Sequence, residues 1–503
     1  MKNMIKRIAA LTLALMLISV PASVLADTGY TYNYDYWEET QYSPDAYAVR
    51  TTITYKELGL DKKFEDATSI FVRGNLLYIC DTANNRIIEV EENNGIYTVK
   101  RIIDSFTGDD EVLTFSNPQD VFVSEDGEFY VCDNGNQRVV KLTADLKYVL
   151  SFTQPDDVLF DSNVSFLPTR LIVDDAGRVY LVAQHVNKGL IKYEADGTFT
   201  GFIGATPVTY SWYQYIWKTY LMTKEQRAQT QNFVPTEYDN IALDKDGFMY
   251  VVTTHVDEAD LMSDQAMPIR KLNALGNDIL IKNGNFPPIG DIDWSDDAGY
   301  SGSSKMIDVT VLDNDTYFAL DQTRCRIFGY DNQGHLLFAF GGNGNRDGYF
   351  RDPVAIEHMG NDLLVLDKKA GQITVFTPTE FGGGIFRAIE SYQAGDYDGS
   401  ADIWRDVLAL NGNYDLAYIG IGRALLRQDK YKEAMYYFKI KNDVDNYAKA
   451  FKLYRKEWVE DHIALLFGGA LVMMLVPLLI GRFKRLRWEV AKYEEDRRKI
   501  KRY

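Results

Sequence analysis

Cysteine and histidine are scarce in this chain: three Cys and five His among 503 residues. Three thiols cannot all pair, so no disulfide framework of the kind that staples small secreted domains is available. Cys80 and Cys132 hold equivalent places in two similar segments, where a third segment has Leu320. That equivalence predicts small buried hydrophobes rather than a bridge. A Gly-x-Ser-x-Gly elbow and a His-Glu-x-x-His zinc motif are both absent, which removes two common hydrolytic chemistries. Positive charge is also short, at 54 Lys and Arg against 72 Asp and Glu, or net −18. The basic residues gather at the two ends, so the body between them is more acidic still and repels nucleic acid and anionic lipid.

What is present begins with a secretory pattern. Lys2, Lys6 and Arg7 precede an apolar core, Ile8 to Val20, and a small-residue site at Val24-Leu25-Ala26. A signal over 1–26, cleaved before Asp27, is expected, and no Cys sits there to carry a lipid. A second apolar run, Ile463 to Ile480, carries no charge and approaches the ~20 residues that cross a bilayer. Glu457, Glu460 and Asp461 precede it, and Arg482, Lys484, Arg485 and Arg487 follow. The positive-inside rule then predicts a single-pass protein of the cell membrane, with its body outside and a basic tail, 482–503, in the cytoplasm. The span itself is expected within 462–481.

Between these ends one phrase recurs: YICDTANNRIIEV from Tyr78, YVCDNGNQRVVKL from Tyr130 and FALDQTRCRIFGY from Phe318. Each is an apolar strand, an Asp, a polar turn, an Arg and a second strand. Such a unit cannot bury its own face and must stack with copies of itself. Six units overlay, with inner strands opening near Ser69, Asp120, Arg170, Asn240, Asp308 and Ala355. They predict a mainly β fold, a six-bladed propeller over 48–380. The extra strand Thr51 to Leu58 is expected to complete the last blade and close the ring. The Tyr-rich stretch 27–47 is expected to be a linker or surface arm.

The pattern from Pro118 to Val139, Pro-x-x-apolar, Asp-Gly, Tyr-Val-x-Asp-x-x-Asn-x-Arg-Val, resembles the NHL repeat. Phe340-Gly341-Gly342 with Gly348, Phe350 and Pro353 is similar to that family's inter-repeat linker. The resemblance covers about 60–377 and degenerates in units three and four, where Ala183 and Thr253 replace the Asp. It implies a six-bladed propeller whose relatives include ligand-binding modules, scaffolds and a lyase. The repeated pairs Asp81/Arg86, Asp133/Arg138 and Asp321/Arg326 read as structural, as turn caps and blade-to-blade ion pairs, because catalysis needs one constellation rather than copies.

Four candidates for a ligand site differ from blade to blade: Asp120, Arg170, Asn240 and Asp308, expected to face the channel mouth. His185 and His255 occupy equivalent positions in adjacent blades and resemble part of the metal site of the NHL-type lyase. A third His is missing from that position elsewhere, so no metal or other cofactor is expected. The insertion Ser211 to Gln231 is rich in aromatics, and Trp212 and Trp217 are its candidate partner contacts as a lid or sticky patch.

After Thr377 the apolar period lengthens to about 3.6. Pairs 34 residues apart (Ala388 with Gly422, Tyr397 with Tyr431, Ser400 with Ala434, Trp404 with Phe438) resemble the tetratricopeptide repeat over 381–459. Modules of that kind bind proteins, with Tyr418 and Phe438 as candidate contacts. The expected function is a membrane-anchored extracytoplasmic binding or scaffold protein, docking a protein partner or a polar ligand such as a sugar or peptide. It would belong to a membrane complex that handles extracellular ligands. The alternative is a propeller enzyme of lactonase or lyase type.

Overall fold

The computed structural model describes residues 31–500 apart from 36, 38, 109–110, 158–159, 161–163, 206–235, 257–259, 262–265, 283–287 and 293–301. The signal segment and the insertion with Trp212 and Trp217 lie outside the described residues. The chain divides into two compact units: residues to Ile389 with Ala409–Asn413, and Glu390–Leu408 with the chain from Tyr414.

The first unit is a six-bladed β-propeller. Its inner strands are Ser69–Arg73, Pro118–Val123, Pro168–Val173, Asn240–Leu243, Met306–Val311 and Pro353–Met359. They neighbour one another in closed cyclic order. Each leads outward through an antiparallel meander. The second strands, among them Leu76–Asp81, Phe129–Asp133 and Tyr317–Asp321, are buried along almost their whole length rather than on alternate residues. The reason is stacking: each blade is covered on both faces, so its strands read as continuous apolar runs. The core lies between blades. One cluster joins Phe122, Cys132 and Val139 to Leu171, Leu181 and Ile191, and another joins Ile53 and Ile373 to Ile70 and Ile88. All three cysteines are free and buried.

Closure follows the expected plan, with shifted bounds. Strand Tyr47–Thr54 forms the outer edge of the sixth blade, pairing with Gln372–Pro378. Residues 55–58 have already turned away. The Tyr-rich stretch is not a linker. Thr31–Tyr34 and Thr40–Ser43 form a hairpin added to the outer edge of the fifth blade. Tyr32 is fully buried there, and its hydroxyl donates to Asp291, 259 residues away (2.8 and 2.7 Å). Buried Asp291 also accepts from Arg326 (2.6 Å) and from Tyr34.

The repeated aspartates are structural, but their ion pairs run within a blade. Asp81 meets Arg86 at 2.7 Å and Asp133 meets Arg138 at 2.9 Å, each pair facing across adjacent strands. The same carboxylates accept the backbone N–H of Glu65 and Ser116 in the segments entering each blade, both at 2.7 Å. A short 3-10 turn follows, ended by Asn85 or Gln137 in the left-handed region. In the fifth blade Arg326 turns instead to Asp291, and Asp321 is held by Ser304 Oγ (2.8 Å) and Lys305 N (2.8 Å).

The second unit is helical. Helices α1 (Glu380–Gln393), α2 (Tyr397–Leu410), α3 (Asp415–Arg427), α4 (Tyr431–Ile440) and α5 (Val444–Ile500) follow in order, α1 beginning in the first unit. Small residues meet aromatics between helices: a Cβ on Gly422 would lie 2.6 Å from the Phe438 ring, and one on Gly420 would strike Trp404. Phe438 is therefore a fully buried wedge and offers no surface to a partner. Tyr418 is half-buried beneath the Lys441 ammonium, 4.8 Å from its ring centre. Within α5 an apolar stretch of mean hydropathy 2.7 is long enough to cross a membrane, and its side chains are exposed.

Candidate functional site

Residues that open the inner strands converge on the propeller axis, and they do two different jobs. Asp120, Asn240 and Asp308 are buried. Asp120, in the second blade, accepts from Ser69 Oγ of the first (2.5 Å) and from Leu171 N of the third (2.9 Å). Asp308, in the fifth, accepts from Asn240 Nδ2 of the fourth (2.6 Å) and from Ile356 N of the sixth (2.7 Å). Each carboxylate thus ties its blade to both neighbours. These positions differ in sequence because they are ties, and they lie inside the channel rather than at its mouth.

Arg170 is the exception. It lines a cavity of about 330 Å³ together with Gln119, Thr169, Asp239, Ile307 and Val354, each the residue just before a channel position. The mouth is therefore the end where the inner strands begin. Gln184, Glu237, Tyr238, Thr254 and Gln322 complete the polar part of the wall. The Arg170 guanidinium donates to the carbonyls of Thr169 (2.9 Å) and Thr68 (3.0 Å), reaching from the third blade to the first across the second. It stands beside Asp120 and Asp308 and holds their carboxyls down against the upward push of burial, which still prevails in both.

Deeper in the channel Glu357 and His358 were not anticipated. Burial, and then the Asp308 carboxylate, push Glu357 up to about 8, and burial pushes Asp308 up to about 7. Burial also lowers His358, whose Nδ1 lies 2.7 Å from Thr310 Oγ1. Glu357 stands two residues beyond Ala355 on its strand, where the first two blades carry Phe71 and Phe122. Laying the repeats over one another at that offset would have singled it out.

His185 and His255 are both exposed. His185 adopts a left-handed backbone (φ 63°), and its N–H donates to Glu237 (3.3 Å). Among the described residues no group of three His, Cys, Asp or Glu is placed to hold a metal ion.

Residues 115–142 match the NHL repeat. No curated protein sequence matches the chain. Among solved structures the chain is similar to a catalytically inactive virginiamycin B lyase from Staphylococcus aureus with quinupristin (12% identity, 65% of this chain and 84% of that one, TM-score 0.38). It is similar also to a streptogramin B lyase (12%, 67% and 100%, TM-score 0.38). A protein of unknown function from Bacteroides thetaiotaomicron is a further likeness (11%, 69% and 76%, TM-score 0.40). Likeness at this level says nothing of activity.

Proposed function

We propose that this chain is a membrane-anchored extracytoplasmic binding protein whose propeller mouth takes a small polar ligand, a sugar or a peptide segment. The observation that carries the reading is the cavity around Arg170. Its volume falls in the range of small-molecule sites, roughly 300–1,000 Å³, and amide, hydroxyl and charged side chains from four blades converge on it. Arg170 fixes the floor, and Gln119, Gln184, Gln322, Thr169 and Thr254 supply paired donors and acceptors suited to hydroxyl and amide groups. In this reading residues 1–26 are a cleaved signal, 463–480 cross the bilayer and 482–503 are cytoplasmic. The helices over 381–459, tetratricopeptide-like in their small-to-aromatic contacts, dock a protein partner.

Calorimetric titration of the detergent-solubilised full chain with neutral mono- and disaccharides and short peptides tests the site. At least one should bind saturably, and Gln119→Ala with Gln322→Ala should weaken it about tenfold, as expected when two side-chain hydrogen bonds are lost. Binding indifferent to both substitutions would place the ligand elsewhere.

A further inference from the structure

Among the described residues the charges around the mouth cavity do not balance, and the imbalance has a direction. Glu237 and Asp239 are half-buried on its wall. Each accepts only backbone N–H groups: Glu237 from His185 (3.3 Å), Asp239 from Thr254 (2.5 Å). Neither is in an ion pair among the described residues. Of the cations in the same blades, Arg178 pairs with Asp174 (2.7 Å), Lys192 with Glu194 (3.6 Å) and Lys271 with Asp244 (2.7 Å), and Arg270 lies over the Tyr238 ring, 5.9 Å from its centre. Arg170, the one cation lining the cavity among the described residues, has donated to two carbonyls and stands beside Asp120 and Asp308. An entering carboxylate or phosphate would therefore meet two acidic groups on the wall. Repulsion of that kind rejects a class of ligand as effectively as a clash. A cation is instead drawn in, because a cleft lined by one sign of charge concentrates the opposite one.

Charge alone does not define the ligand; the amides do the rest. Gln119, Gln184 and Gln322 each carry a donor and an acceptor end, which matches hydroxyl or amide groups and not a bare inorganic ion. We infer that the mouth cavity recognises an ammonium-bearing polar ligand, its ammonium held by Glu237 and Asp239 and its hydroxyl or amide groups by the three glutamines. An amino sugar and the free N-terminus of a peptide share this chemistry. The inference rests on the reading of the cavity as the ligand site and adds the sign of the charge it selects.

The test compares matched probes on the solubilised full chain: glucosamine against glucose and N-acetylglucosamine, and triglycine amide against its N-acetylated form. In at least one set the protonated amine should bind about tenfold tighter than its neutral counterparts, the margin of a charge-assisted over a neutral hydrogen bond. The set that shows it identifies the source. Glu237→Gln with Asp239→Asn should erase the preference, read as the ratio of charged to neutral probe affinity within the same variant. Melting curves identify a misfolded double variant, in which case Glu237→Gln alone should cut the preference. Equal binding of charged and neutral probes, or a preference that survives both substitutions, overturns the inference and leaves the mouth cavity as a neutral-ligand site. If no probe of either kind binds, the cavity reading fails and takes the inference with it.

Discussion

Replacing Glu357 by Gln should make the propeller more stable in alkali and change it little in acid. Glu357 titrates near 8 in the fold against an ordinary 4.5. The folded chain thus holds this proton over a range where the unfolded chain has lost it. Stability from this group is fully present below about pH 4.5, falls as pH rises and is gone above about 8. At about 1.4 kcal/mol per tenfold change in proton affinity the full loss would approach 5 kcal/mol. The side chain is 23% exposed to the channel, however. Screening at that exposure reduces the effect to about 2 kcal/mol. Gln keeps an oxygen for Thr310 Oγ1 (3.4 Å) and His358 N (3.2 Å), so the exchange removes charge with little loss of contact. With unfolding entropy near 2.1 cal/mol/K per residue over about 300 residues, 2 kcal/mol is about 3 °C in Tm. Scanning calorimetry of wild type and Glu357→Gln at pH 5 and pH 9 measures it. Equal Tm gaps at the two pH values, or a less stable variant at pH 9, would refute the reasoning.

Tyr32→Phe should cost about 2 kcal/mol, the worth of a hydroxyl bonded to the buried Asp291 carboxylate, and Tyr32→Ala about 3–5 kcal/mol through the added cavity; equilibrium urea unfolding reads both. Gly422→Ala would press a methyl against Phe438 and should destabilise the helical unit by about 1–3 kcal/mol, seen as an earlier loss of helical circular dichroism, with the propeller transition unmoved. In α5, Trp458 and Trp488 lie about 45 Å apart at 1.5 Å per residue, close to the ~40–45 Å of a bilayer with its headgroups. Both should be quenched by lipids brominated near the headgroup and neither by lipids brominated at the chain ends; an unquenched Trp488 would place the anchor wrongly.

The propeller was legible because its signals are local and repeated. The Asp-to-Arg turn returns in the same phase, and the six inner strands could be placed to within a residue or two. The fifth-blade hairpin was not, because TYNY carries no turn or apolar signal and its partner, Asp291, is 259 residues distant. The fate of Arg326 was hidden too: the motif pairs it with Asp321, whereas the Asp291 carboxylate, 35 residues before it, takes it instead. The site was legible in its axis and wrong in its depth. A one-residue step along an inner strand moves a side chain from the channel to the rim, and sequence overlay alone cannot choose between them. Arg170 reaches the cavity where Asp120 does not because its long side chain bridges to Thr68.

The sixth blade is built from both ends of the propeller sequence, Tyr47–Thr54 and the strands from Pro353 to Pro378. For a chain made from its N-terminus, that arrangement sets a timetable. The strand that must finish the ring emerges first and stays unpaired until more than 300 further residues have followed. Throughout that interval its TTIT edge can pair with any other open strand, including the same strand of a neighbouring nascent chain. The hairpin at Thr31–Tyr34 waits in the same way for the fifth blade. The rate of synthesis and chaperone cover, rather than the final stability of the ring, would then govern how much of the protein matures.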